Sequence, residues 1–198
     1  MDTKIQAPPA DADIRPALIA RIVKDHRHDP TTVVISELGL CRNTVRADLA
    51  AVNGIIHGYE IKSDRDSLRR LETQVEVYGR VFDRATLVVG ERHLDKATVM
   101  VPSWWGVLGI SGCAAAPKLK IVRRGRRNPD VDPRSLVELL WLEQAVALLE
   151  TRELARGVRG KPRWVVWDRI CEHFTKAEVA AAVRQHLKSA WQATPPLS

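Results

Sequence analysis

A chain of 198 residues with 45% apolar and 28% charged side chains has the makeup of a folded globular protein, which excludes a disordered or fibrous one. No apolar run is long enough to span a bilayer, and the Asp- and Pro-containing start Met1–Asp13 is neither a secretory signal nor a transit peptide, so a cytoplasmic location is expected. Cys41, Cys113 and Cys171 are far apart, odd in number and without a Cys-x-x-Cys or a His at ligand spacing, which predicts reduced thiols and no zinc site, while the net charge of +7 favours a polyanionic partner.

Residues 1–12, with Pro8 and Pro9 among small polar neighbours, predict a disordered leader. From Asp13, the residues Ile14, Leu18, Ile19, Ile22 and Val23 recur at helical spacing, with Pro16 in the first turn behind an Asp cap. Asp29-Pro30 ends that helix, and the β-branched stretch Thr31–Leu40 predicts a strand. Glu37 lies in its path. A lone carboxylate there reads as a metal ligand or a partner for Lys62, and equally as an edge residue facing water. The segment from Leu40 to Thr44 then turns the chain, leaving Arg42 and Arg46 close in sequence to Asp48, where they can steer a phosphate backbone or simply face solvent.

From Asp48 to Lys62, two short apolar runs flank Asn53-Gly54, the pattern of a β-hairpin. Asp48 stands at the start of the first run, and Glu60 and Lys62, two apart, share one face near the end of the second. A strand interior tolerates charge only when it is paired or metal-bound. Two carboxylates beside an amine suit metal-dependent hydrolysis: Asp48 and Glu60 as hard oxygen ligands for Mg2+ or Mn2+, Lys62 as the group that holds water and offsets charge on a phosphate. The bland alternative is a solvated ion cluster worth under about 1 kcal/mol. Register decides whether the carboxylates can meet. A two-residue turn at Asn53-Gly54 would pair Asp48 with Tyr59 and aim it away from Glu60, so a shared site predicts an odd loop, Val52-Asn53-Gly54, with Gly54 left-handed in a G1 bulge, or a bulge elsewhere.

Ser63-Asp64-Arg65-Asp66 reads like a capping box, followed by Leu68, Leu71, Val75 and Tyr78 at helical spacing. Gln74 and Tyr78, four apart, share a face of that helix. Asp48 followed by Glu60-Ile61-Lys62 resembles the PD-(D/E)XK nuclease superfamily, and Gln74-x-x-x-Tyr78 resembles its RecB-like branch. Arg46-Ala47 stands where the motif has its Pro. The resemblance implies an α/β fold with a mixed central sheet flanked by helices, a restriction-endonuclease-like αβββαβ core. It implies Mg2+- or Mn2+-dependent hydrolysis of phosphodiester bonds in DNA, with RNA also open, in repair, restriction or defence. Asp48, Glu60 and Lys62 would be catalytic, and Gln74 and Tyr78 would position substrate. A copy of the fold that binds DNA or serves as a scaffold without turnover is the alternative.

Further along, Ala85–Val89 predicts a buried strand, Leu94–Met100 a helix ended by Pro102, and Gly106–Ser111 and Lys118–Val122 two more strands. Trp104-Trp105 reads as packing more than as a base-stacking platform. Arg123, Arg124, Arg126 and Arg127 read as phosphate contacts slightly more than as a solvated loop. The nuclease-like domain is thus expected at 13–127. After the Pro- and Asp-rich break Asn128–Pro133, a small all-helical module is expected at 134–192: a helix capped by Ser135 running to about Glu150, an extended link from Leu154 to Arg163, a helix at Trp164–Phe174, a last helix at Lys176–Trp191, and a frayed tail at Pro195-Pro196. Helix, basic link and helix loosely resemble a SAP-type module, which implies duplex-DNA contacts from Arg156, Arg159, Lys161 and Arg163. Oligomeric state, a homodimer included, stays open.

Overall fold

The computed structural model of the chain describes residues 7–192, so the first six residues of the expected leader and the Pro195-Pro196 tail lie outside the described residues. Helix α1 (Asp11–Asp25) starts two residues earlier than its periodicity predicts. Ala10, at its cap, offers no side-chain acceptor, and the Asp13 carboxylate instead accepts from the Ala10 N–H at 2.9 Å.

Six strands follow in one sheet whose order is the chain order: β1 (Val33–Leu40), β2 (Val45–Val52), β3 (Ile56–Lys62), β4 (Arg84–Gly90), β5 (Gly106–Cys113) and β6 (Ala116–Arg123). β3, β4 and β5 run parallel, and the remaining pairs are antiparallel hairpins. Parallel neighbours need crossovers, supplied by α2 (Leu71–Val81) and α3 (Leu94–Met100). Helices α4 (Pro133–Val137), α5 (Leu142–Glu150), α6 (Arg163–His173) and α7 (Lys176–Gln192) complete the described chain. The fold is therefore mixed α/β, a six-stranded mixed sheet flanked by helices. Among the described residues, no helix is long and apolar enough to cross a membrane.

The period-two alternation of the strands sorts side chains to two cores. On one face Ile14, Leu18 and Ile22 of α1 pack on Leu49, Tyr59, Ile61 and Val88. On the other, Ile56, Leu87, Val89, Tyr78 and Trp105 share a larger core with Leu136, Leu149, Ile170 and Val183 of the late helices. The break at Asn128–Pro133 thus marks a change of secondary structure and not of core. Asn128 ties it down, its buried amide donating to the carbonyls of Gly79 at 2.7 Å and Phe82 at 2.8 Å.

Several local expectations change. Asp132, not Ser135, caps α4, accepting from the amides of Arg134 at 3.1 Å and Ser135 at 2.9 Å, with Pro133 in the first turn. The helix expected to run to Glu150 is two, because the chain tightens at residues 138–141. The amides of Leu139 and Leu140 reach back only three residues, to Leu136 and Val137, and both leucines enter the core. The link before α6 is a chain of turns, not an extended segment, with left-handed backbone at Glu153 (φ 60°), Gly157 (81°) and Gly160 (79°). Ser63 and Asp66 close a turn on themselves, and Ser67 caps the short helical turn at Leu68–Arg70. Trp105 is fully buried and stacked on Tyr78 at 5.3 Å, which is packing and not a base platform.

The candidate active site in the cleft between two strands

The β2–β3 hairpin has an odd loop, as a shared carboxylate site requires, but not the loop expected. Val52 pairs with Ile56 across Asn53-Gly54-Ile55. The Ile55 amide donates to the Asn53 side-chain oxygen at 3.1 Å and the Asn53 amide to the Ile55 carbonyl at 3.0 Å. That side-chain turn replaces the G1 bulge, and Gly54 is not left-handed. The register that results, Leu49 opposite Tyr59, puts Asp48 next to Glu60 on the same face.

Beyond Leu49 the two strands part. β2 stays with β1 as far as the Leu40–Val45 pair, whereas its pairing with β3 ends at Leu49/Tyr59. Alternation would next join Ala47 and Ile61 by backbone bonds. The Ile61 amide donates instead to Asp48 Oδ2 at 2.7 Å, so a carboxylate stands in for a carbonyl and the strands splay around it. The opening is a cleft of about 640 Å³ lined by Glu37, Arg46, Asp48, Glu60, Lys62 and Gln74 among others.

Glu60 is only 1% exposed and Lys62 4%. Burial of that carboxylate is sustained by three donors. Its Oε1 accepts from Lys62 Nζ and from Gln74 Nε2 at 2.5 Å, and its Oε2 from the Tyr78 hydroxyl at 2.5 Å. The four-residue spacing on α2 thus delivers both predicted side chains to one group. Tyr78 is held in turn by the edge of Phe82 at 4.8 Å and the face of Trp105, and burial with the Glu60 charge holds its hydroxyl pKa well above the ordinary value, keeping it a donor.

Asp48 is different. Burial first, then the Glu60 charge, push its carboxyl up to about 7, against the opposing pull of the Ile61 amide and Arg15. Arg15 is the residue that sequence reasoning misses. From α1 it ion-pairs Asp11 at 3.0 Å and Glu37 at 3.0 Å, and it reaches the Asp48 carbonyl at 2.7 Å and carboxylate at 3.4 Å. The only sequence signal is the Asp11–Arg15 spacing, which says nothing of a reach to β2. Glu37 lies opposite Asp48 in the β1 register with a left-handed backbone (φ 57°), beside Arg15 and, at 3.8 Å, Arg46. It does not pair with Lys62, whose partner is Glu60.

The expected arginine contacts divide. Arg46 rims the cleft, whereas Arg42 lines a separate groove. Arg123 is structural. Its guanidinium donates to the carbonyls of Trp105 at 2.9 Å and Pro102 at 3.0 Å, besides those of Thr98 and Val101, and so locks the end of α3 to β6. Arg126 donates to Ser103 Oγ at 3.2 Å, and Arg124 and Arg127 are exposed and do not line the cleft. In the link, Arg159 is tied to Glu150, while Arg156, Lys161 and Arg163 are exposed.

The cleft fits a hard divalent cation by its donor set. Asp48 and Glu60 bring carboxylate oxygens to one face, and Gln74 Oε1 beside them is buried without a hydrogen-bond partner among the described residues. Burial is the larger cause of the raised Asp48 pKa, and the smaller part, the Glu60 charge, is the repulsion that a cation between the two would relieve.

The sequence pattern of the family described as bacteriophage P4 protein cII matches residues 7–196. Protein cII of Enterobacteria phage P4 is 31% identical over 116 residues, 59% of this chain, which spans 44% of that relative's length. Among solved structures, a protein of unknown function from Silicibacter pomeroyi superposes with a TM-score of 0.42 at 21% identity, over 68% of this chain and 86% of that one. The chain belongs to the bacteriophage P4 protein cII family.

Proposed function

We propose that the chain is a metal-dependent nuclease that hydrolyses phosphodiester bonds, with DNA as the first substrate to test. The observation that carries this reading is the convergence of Asp48, Glu60, Lys62 and Gln74 on one cleft, with Tyr78 holding Glu60 from the core behind it, five residues from β2, β3 and α2. The αβββαβ order of α1 to β4 and the splay at Asp48 also support a restriction-endonuclease-like core. Mg2+ or Mn2+, held by Asp48 and Glu60, would supply a polarised phosphoryl oxygen and a water of lowered pKa. The protein's part is positional. Gln74 and Tyr78 fix the Glu60 carboxylate, Arg15 fixes Asp48, Lys62 carries positive charge to the reacting phosphate, and Arg46 at the rim meets the backbone. Arg156, Lys161 and Arg163 on the link add phosphate contacts that carry no sequence preference.

One observation favours a second reading, a binding or scaffold protein without turnover: both Glu60 oxygens already accept protein donors. Incubation of supercoiled, linear and single-stranded DNA, and of RNA, with Mg2+, Mn2+ or EDTA separates the two. The nuclease reading expects cleavage of at least one form that EDTA abolishes. Binding without cleavage under any metal would leave the second reading standing.

A further inference from the structure

The groove that takes up Arg42 has a volume of about 530 Å³ and a wall rich in tryptophan. Trp141 and Trp164 face it at 60% and 59% exposure, with Trp167 and Trp191 behind them. His186 meets the Trp141 ring edge-on at 5.0 Å, and burial lowers its pKa, so it adds a neutral aromatic surface at pH 7. Two indoles left more than half in water make a costly patch unless something covers it. Charge identifies the occupant. The groove's carboxylate, Glu138, is held by Arg134 at 2.8 Å, a guanidinium shared with Asp168 at 2.8 Å, whereas Arg42 and Arg163 form no ion pair among the described residues. Exposed aromatic faces interleaved with unpaired arginines fit unstacked bases on a phosphate chain, and fit an apolar or acidic protein segment less fully.

Position supports the same occupant. The β1–β2 turn separates this groove from the Asp48 cleft, and Asn43 lines both. Three successive turn residues, Cys41, Arg42 and Asn43, hold left-handed backbone at φ 46°, 57° and 64°, a conformation non-glycine residues adopt at a cost. Gly39 makes room for the turn: a Cβ there would sit 1.8 Å from Asn43 Oδ1. The strained turn projects Arg42 into the groove and Asn43 onto the ridge between the groove and the cleft.

We infer that the tryptophan groove binds single-stranded nucleic acid, with bases stacked on Trp141 and Trp164 and phosphates on Arg42 and Arg163. Delivery of that strand past Asn43 to the cleft rests on the nuclease reading, and binding in the groove does not. The test is tryptophan fluorescence titration of the full chain in EDTA with a fifteen-base dU oligonucleotide, its ribo-U counterpart and a duplex of equal length. Both single strands should quench the emission and bind more tightly than the duplex, and the ratio between them reports the sugar preference. Trp141→Ala and Trp164→Ala should each weaken binding about tenfold. Arg42→Ala and Arg163→Ala should each lower the salt slope by about 0.7. Should the Trp141 variant unfold through loss of its His186 contact, the Arg42→Glu/Arg163→Glu pair carries the same test. Unquenched emission, or tryptophan variants that bind as the wild type does, would overturn the inference. So would concentration-dependent self-association abolished by the same variants without any effect on the oligonucleotide, which would mark a protein interface. Binding through the tryptophans without cleavage sinks the nuclease reading alone, and cleavage with unaltered strand affinity in the tryptophan variants sinks the groove alone.

Discussion

Replacing Lys62 with Met is expected to destabilise the protein by about 3–5 kcal/mol at neutral pH and to lower any cleavage by at least about a hundredfold. A solvated pair would move stability by less than about 1 kcal/mol. Lys62 and Glu60 are not solvated, and removing the ammonium leaves a carboxylate at 1% exposure with only Gln74 and Tyr78 as donors. Stability alone does not distinguish a catalytic pair from a structural one, so the double variant Glu60→Gln/Lys62→Met is the informative one. It removes both charges, and urea unfolding should show most of the lost stability restored, since a neutral pair of similar volume needs no compensation. Cleavage should stay lost. A double variant as active as the wild type would show that the pair serves the fold only. Tyr78→Phe and Gln74→Ala should cost activity less than either single charge variant, because they hold Glu60 in place and carry no charge themselves.

Asp48 gives the second large effect, in the dependence of stability on pH and metal. Its folded pKa of about 7 lies above the ordinary value of 3.8. The stability it contributes is therefore fully present below about pH 4 and is lost as pH rises through about 7. His57 acts in the opposite sense. Buried and pushed down to about 3, it makes the protein more stable as pH rises through the same range up to its ordinary 6.5. The expectation thus concerns a difference: the melting temperature of Asp48→Asn minus that of the wild type should grow between pH 4 and pH 7 in EDTA and then level off. At pH 8, Mg2+ at a hundredfold excess over its dissociation constant should stabilise the wild type by about 2.7 kcal/mol, and Asp48→Asn far less. Equal stabilisation of both proteins by Mg2+ would place the cation elsewhere.

Much of this site was legible in the sequence because local geometry carried it. Strand parity put Glu60 and Lys62 on one face, helical spacing brought Gln74 and Tyr78 to the same point, and the need for Asp48 to meet Glu60 called for an odd loop. What failed depended on particular side chains bonding at a distance or inside a turn. Asn53 closes its own turn through its side-chain oxygen, so Gly54 needs no left-handed backbone. Arg123 belongs to a basic run that looks ready for phosphate, yet the end of α3 presents carbonyls that claim it. Arg15 sits 33 residues from Asp48 on a helix whose apolar stripe reveals its buried face and nothing of its polar reach. The tryptophan groove draws on the β1–β2 turn, the α4–α5 junction, α6 and α7, and no window of sequence contains it.

The carboxylate that replaces a carbonyl beside β3 has a spectroscopic consequence. Within β3, the Ile61 amide hydrogen-bonds to a group that can gain or lose a proton, whereas a ladder carbonyl cannot. Its nitrogen and proton resonances are therefore a built-in gauge of Asp48, moving with a midpoint near pH 7 in the metal-free protein. A cation or phosphate that enters the cleft and changes the charge on that carboxylate moves the same peak before any bond is cut. One backbone signal near the end of an interior strand thus reads the occupancy of the site directly, independent of turnover.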